Sequence, residues 1–188
     1  MTVENRRTTD TVDEIFALFE NGGSEAYFGE PVTQLQHALQ SAHWAKQAHA
    51  DDETVLAALL HDIGHLLGGD LHADLGVIDH DRAAVDWLRS RGFSERLIAL
   101  VAGHVAAKRY LVAVTPGYYD RLSQASKQTL ELQGGPMSRD EVCDFESNPW
   151  YQDQLRVRTW DELAKDPEAA VAPLEEYRWM LAAHLGGV

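Results

Sequence analysis

The sequence is poor in cysteine, in basic residues and in long apolar runs, and each shortage excludes something. A single cysteine, Cys143, in 188 residues excludes an internal disulfide framework and predicts a reducing compartment, the cytoplasm. Asp144 beside it gives that thiol no reason to ionise. Only 16 Lys and Arg stand against 30 Asp and Glu, a formal charge of −14. With no basic stripe anywhere, no nucleic-acid partner is expected. Apolar runs such as residues 55–60 are far too short to cross a bilayer, and no membrane partner is expected either. No apolar stretch follows Glu4, Arg6 and Arg7, so no secretory signal is predicted. Strict apolar/polar alternation, Gly/Ser linkers and internal repeats are also missing, which argues against sheets, tethered domains and solenoids.

What remains is helical spacing almost everywhere. Ile15, Phe16, Leu18 and Phe19 form a stripe stopped by Gly22-Gly23, and Thr33 is placed to cap a helix carrying Leu35, Ala38, Leu39, Ala42 and Ala45. Asp51 or Asp52 caps the next, over about 53–67, apolar on most faces and therefore central. A surface loop is predicted over 68–78, then helices over 79–92, 94–114 and 119–133. Ser138 to Glu141 has capping-box spacing, and further helices are predicted over 150–165 and 174–186. The prediction is one all-α domain over residues 1–188, with about eight or nine helices and a flexible segment over 1–10. Trp179, Met180 and Leu181 read as core.

Nine histidines stand out, several near acids. The sharpest signal is His61-Asp62, polar residues inside the most apolar helix, where an imidazole and a carboxylate are costly unless paired. For that pair alone, a buried hydrogen bond explains the pattern as well as a metal does. His37 lies on the preceding helix, His80 after the loop, His104 mid-helix, and Asp161 late in the chain. Four such histidines and two aspartates on separate helices favour a metal. Imidazole with carboxylate suits iron, manganese or zinc, and no thiolate cluster suggests a structural zinc. His43, His49, His72 and His184 lack such context and read as surface or loop residues.

His37, His61-Asp62 and Asp161 match the H…HD…D pattern of the HD-domain superfamily, and His80 and His104 match the extra histidines of its dinuclear members. Further stretches narrow the likeness: Tyr27-Phe28-Gly29-Glu30, Gln34 to His37, Gly103 to Leu111, Leu130 to Met137, and Arg158-Thr159-Trp160-Asp161. Over about residues 12–185 the chain resembles the PhnZ-type HD-domain oxygenases, relatives of myo-inositol oxygenase. The loop over 68–79 is shorter than that type suggests.

The resemblance implies an HD-type helical bundle and a mixed-valent Fe(II)/Fe(III) pair that uses O2 to cleave the carbon–phosphorus bond of a 1-hydroxy-2-aminoethylphosphonate-type substrate. It implies His37, His61, Asp62 and Asp161 on one iron, and Asp62, His80 and His104 on the other, with Asp62 bridging. It makes Tyr27 a resting iron ligand that substrate displaces, and Glu30 the partner of a substrate ammonium. Gln34, His65, Lys108, Ser126 and Arg158 become substrate contacts. The spacing supports part of this. Lys108 follows His104 by one helical turn, His65 stands four residues after His61, and Arg158 stands one turn before Asp161, so donors for a phosphonate dianion lie near the ligands. A phenolate is a reasonable placeholder ligand, and a carboxylate pairs with ammonium.

Tyr27 and Phe28, with several tryptophans available to line the pocket, could instead face a trimethylammonium group. The expected products are phosphate with glycine or glycine betaine, and a preceding 2-oxoglutarate-dependent hydroxylase is the implied functional partner. A dinuclear HD phosphohydrolase using Mn(II) or Mg(II) shares the ligand set and is the alternative; a metal-stabilised sensing domain is a third.

Overall fold

The computed structural model describes residues 3–67 and 76–186; of residues 3–5 and 76–81 it describes the backbone alone. Ten α-helices lie among the described residues: α1 (Val3–Gly22), α2 (Gln34–Gln47), α3 (Asp52–Leu60), α4 (Gly76–Arg91), α5 (Glu95–Val114), α6 (Tyr118–Arg121), α7 (Gln124–Leu132), α8 (Arg139–Ser147), α9 (Tyr151–Leu163) and α10 (Arg178–His184). Short 3₁₀ turns cover Ile63–Leu66 and Leu174–Tyr177.

Local chemistry sets most boundaries. Thr33 accepts from the Gln36 amide while the Gln36 side chain accepts from the Thr33 amide, so α2 starts on a reciprocal box. Ser138 and Glu141 do the same for α8. The side chains of Asp51 and Ser94 cap α3 and α5.

Four expected boundaries differ. α3 stops at Leu60, short of Leu67, because the Ala58 carbonyl takes the Nδ1–H of His61 (2.9 Å) and the chain tightens into a 3₁₀ turn. α4 starts at Gly76, so part of the expected loop is helical, while residues 68–75 lie outside the described residues. The helix expected over 119–133 is split into α6 and α7 by extended Leu122 and by Ser123, whose hydroxyl accepts from the Ser126 amide. Finally, α1 begins at Val3, and Thr8 Oγ1 donates to the Leu185 carbonyl (3.3 Å), so residues 3–10 are helix where a free segment was expected.

The centre of the bundle is α5, packed against α3, α4 and α9, with α2 across α3 and α9. Leu56, Leu59, Leu60, Leu97 and Leu100 fill the space between them at under 2% exposure. Gly103 is where α5 meets α9: a Cβ there would lie 2.3 Å from the Gln154 carboxamide, whose Nε2–H donates to Ala99 O (2.8 Å). At the N-terminal end of α5, Arg96 ties Asp51 (2.9 Å), Glu53 (2.7 Å) and Asp153 (2.9 Å) together, joining α3, α5 and α9. α5 is also long and apolar enough to cross a membrane, but half of it is buried in the protein and it carries buried His104 and Lys108. Trp179, expected in the core, is 60% exposed beside buried Met180 and Leu181.

Candidate metal centre and anion pocket

Four helices deliver one cluster. α2 contributes His37, the turn after α3 contributes His61 and Asp62, α5 contributes His104, and α9 contributes Asp161; all five are buried. The turn that ends α3 brings adjacent residues to one point: His61 Nε2 lies 3.2 Å from Asp62 Oδ2. His37 Nε2 lies 3.3 Å from Asp161 Oδ1 and 3.6 Å from Asp62 Oδ2, and His104 Nε2 lies 3.3 Å from Asp62 Oδ1.

The tautomers are set by the backbone. Nδ1 of His37 meets Ala164 O (2.9 Å), Nδ1 of His61 meets Ala58 O (2.9 Å), and Nδ1 of His104 meets Val101 O (2.7 Å). A carbonyl only accepts, so each Nδ1 carries the proton and each Nε2 presents a lone pair. Two of these, on His37 and His61, face each other at 3.0 Å. Asp62 Oδ2 and Asp161 Oδ1 are buried with no hydrogen-bond partner. Facing lone pairs and orphaned carboxylate oxygens fit a cation between them. The ligand atoms of His37, His61 and Asp161 lie within 4.8 Å of one another, close enough for one ion.

Without a cation, the cluster keeps a proton instead. Burial opposes charge on His61, yet Asp62 and Asp161 outweigh it and raise its pKa to about 9. Burial likewise opposes ionisation of Asp62, but His61 and His104 hold its carboxyl well below the usual range. Arg158 does the same for Asp161, helped by His37 and His61. A metal therefore competes with a proton for this site.

His80 lies on α4, but its side chain is outside the described residues. Tyr27 stacks on His37, with ring centroids 3.9 Å apart. Burial, then the charges of Asp62 and Asp161, push its phenol pKa well up, so it stays protonated while the cluster holds no metal.

Beside the cluster lie two buried cations. Lys108 and Arg158 are 5% and 4% exposed, where long cationic side chains are rarely found. Arg158 pairs with Asp161, donates through Nε to Tyr118 Oη (3.2 Å), and leaves Nη2 with no hydrogen-bond partner. Lys108 Nζ donates to Thr129 Oγ1 (2.8 Å). Burial, then the Arg158 charge, lowers its pKa to about 8. If it grips an anion, kcat/KM for an anionic substrate should fall as pH rises through about 8, where free-enzyme Lys108 loses its proton. Lys108→Arg should move that limb well above pH 8, since guanidinium stays charged; a limb unmoved by Lys108→Arg would remove Lys108 from this role. Ser126 is buried on α7 and accepts from Lys165 Nζ (3.2 Å). His65 sits on the 3₁₀ turn with Nε2 4.0 Å from Asp62 Oδ1, and Gln34 is half-buried at the start of α2, one turn before His37.

A family model described as HD domain matches residues 35–139. The chain is 38% identical over 180 residues to a hydroxymethylphosphonate dioxygenase of Gimesia maris, covering 89% of this chain and 85% of that protein. It is 41% identical over 162 residues to a glycine-betaine-forming [1-hydroxy-2-(trimethylamino)ethyl]phosphonate dioxygenase of Leisingera caerulea, covering 82% and 80%. An uncharacterized protein of Acanthamoeba polyphaga mimivirus is 37% identical over 180 residues, covering 93% and 81%. The chain belongs to the HD-domain family. Within that family it is a PhnZ-type oxygenase.

In this HD-domain oxygenase, four side chains that sequence reasoning missed lie around these residues. Lys165 Nζ donates to Glu30 Oε1 (2.6 Å), and Ser123 Oγ donates to the same oxygen (2.6 Å). Tyr118 and Glu162 brace Arg158, the Tyr118 hydroxyl donating to Glu162 Oε2 (2.7 Å). Lys165 stands four residues after Asp161, a spacing that could have marked it. Phe28, expected as a possible pocket aromatic, is 65% exposed. Of the histidines expected at the surface, His184 instead stacks on Phe93 (5.3 Å) and accepts from the Ser94 amide (3.3 Å), while His72 lies outside the described residues.

Proposed function

We propose that this protein cleaves the carbon–phosphorus bond of a 1-hydroxyphosphonate with O2 on a pair of irons, releasing phosphate and a carboxylic acid. The observation that carries the reading is the buried juxtaposition of two features: three Nε2 lone pairs around orphaned carboxylate oxygens, and the buried cations Lys108 and Arg158 beside them. The first suits a cation and the second a phosphonate. The names of the two dioxygenase relatives favour oxidation over hydrolysis.

In this reading His37, His61, Asp62 and Asp161 hold one iron, and Asp62, His80 and His104 the other. Bound there, the irons would supply O2 activation and a Lewis acid for the substrate's hydroxyl and one phosphonate oxygen. The chain's own residues do the rest. Lys108, Arg158 and Ser126 take the remaining phosphonate oxygens, with His65 and Gln34 at the pocket edge. Tyr27 covers His37 until substrate arrives and then withdraws.

The C–H and C–P bonds at C1 break, one oxygen atom of O2 ends on carbon and the other on phosphorus, and no outside reductant is needed. A substrate bearing a 1-hydroxyl implies a preceding hydroxylation of the parent phosphonate, the work of a 2-oxoglutarate-dependent oxygenase in this proposal.

The test is phosphate release from hydroxymethylphosphonate by iron-loaded protein with and without O2. Release only with both iron and O2 is expected. Release of phosphate from a phosphomonoester by Mn(II)-loaded protein without O2, with no turnover of the phosphonate, would make it a hydrolase.

A further inference from the structure

The resemblance assigned Glu30 to a substrate ammonium, yet in this fold that carboxylate already has one. Lys165 Nζ sits on Glu30 Oε1 at 2.6 Å, with side chains 15% and 9% exposed. The ammonium is further held by Ser126 Oγ (3.2 Å) and Ser123 Oγ (3.4 Å), and Ser123 in turn donates to Glu30. This is a closed four-residue network: one carboxylate, one ammonium and two hydroxyls. It depends on the break between α6 and α7 that exposes Ser123 as a cap, and on Lys165 leaving the end of α9 beside Ala164.

A second ammonium brought to Glu30 would meet Lys165 at close range, in a pocket that already holds Lys108 and Arg158. Like charges in a partly dry pocket repel strongly. Nor do Phe28, Trp44, Trp87, Trp160 and Trp179 offer a cage for a quaternary ammonium. Phe28 points to solvent, Trp160 is buried in the core with Arg156 over it (5.1 Å), Trp87 lies under Arg91 (4.8 Å), and Trp44 and Trp179 are exposed.

We propose that Lys165 is the specificity-determining residue of this pocket: seated on Glu30, it fills the place of a cationic substituent and selects phosphonates whose carbon chain carries no positive charge. The assignment rests on the phosphonate reading above.

The experiment measures affinity by calorimetry on iron-loaded protein without O2, using two ligands of one shape. 1-Hydroxypropylphosphonate ends in a methyl where 2-amino-1-hydroxyethylphosphonate ends in an ammonium. The parent should bind the uncharged ligand more tightly by roughly tenfold or more, the scale of one charged hydrogen bond. Lys165→Met should shift the ratio toward the ammonium ligand by at least about as much, since Glu30 then lacks a cationic partner. Lys165→Arg should keep the parent's preference, and adding Glu30→Gln to Lys165→Met should abolish the shift. A parent that prefers the ammonium ligand, or a ratio that Lys165→Met leaves unchanged, overturns the proposal. If the parent shows the expected preference but releases no phosphate with O2, the oxygenase reading fails while the role of Lys165 stands; if neither phosphonate binds, both fall.

Discussion

Asp62→Ala should leave a protein that folds yet holds almost no iron. The two oxygens of Asp62 face different imidazoles, Oδ1 toward His104 (3.3 Å) and Oδ2 toward His61 (3.2 Å). In the proposed two-iron centre a carboxylate so placed would serve both metal positions, so its loss should weaken both at once. The expected fall in kcat/KM is roughly 10³-fold or more, about 4 kcal/mol of transition-state stabilisation. His104→Ala should instead retain one iron, because His37, His61, Asp62 and Asp161 remain. Metal analysis of the purified variants, with circular dichroism to confirm the helices, checks both. Equal iron in the parent and in Asp62→Ala would end the bridging assignment. The fold should survive because the removed acid has His61 as its main partner, and without Asp62 that imidazole can simply lose its proton.

Arg158→Ala should be the most destabilising change in the pocket. Its guanidinium is buried against Asp161 and bonded to Tyr118, and its departure takes from a buried carboxylate its strongest positive neighbour. Removing one partner of such a pair costs roughly 3–5 kcal/mol. Iron should recover part of that loss, since a cation on Asp161 Oδ1 restores the missing positive charge. Thermal unfolding of metal-free and iron-loaded variants reads this directly: the gain on loading should be larger for Arg158→Ala than for the parent. An equal gain would mean that Asp161 does not depend on Arg158 for its charge balance. Arg158→Lys should rescue little, because an ammonium cannot span Asp161 and the Tyr118 hydroxyl together.

The helices and the metal residues were legible in the chain because their signals are local or of fixed type. Thr33 with Gln36, and Ser138 with Glu141, announce helix starts within four residues. His61-Asp62 stands out because polar residues in an apolar run demand a partner. The break at Leu60 was not legible: it arises when the His61 ring takes a carbonyl from its own helix, and spacing alone does not say which way a ring turns. The α6–α7 break hid for a similar reason, since Ser123 reads as an ordinary polar residue until its hydroxyl is seen capping Ser126 and bonding Glu30.

The sequence by itself determined an all-α HD-domain chain, its principal capped helix starts, and the residue types able to hold a cation, because periodicity, caps and the cost of burying charge all act over a few residues. The tertiary structure alone decided which charges meet. Glu30 and Lys165 are 135 positions apart, and Tyr118 and Arg158 are 40 apart. Electrostatics depends on distance in space, and only the packing of α2, α5, α7 and α9 sets those distances.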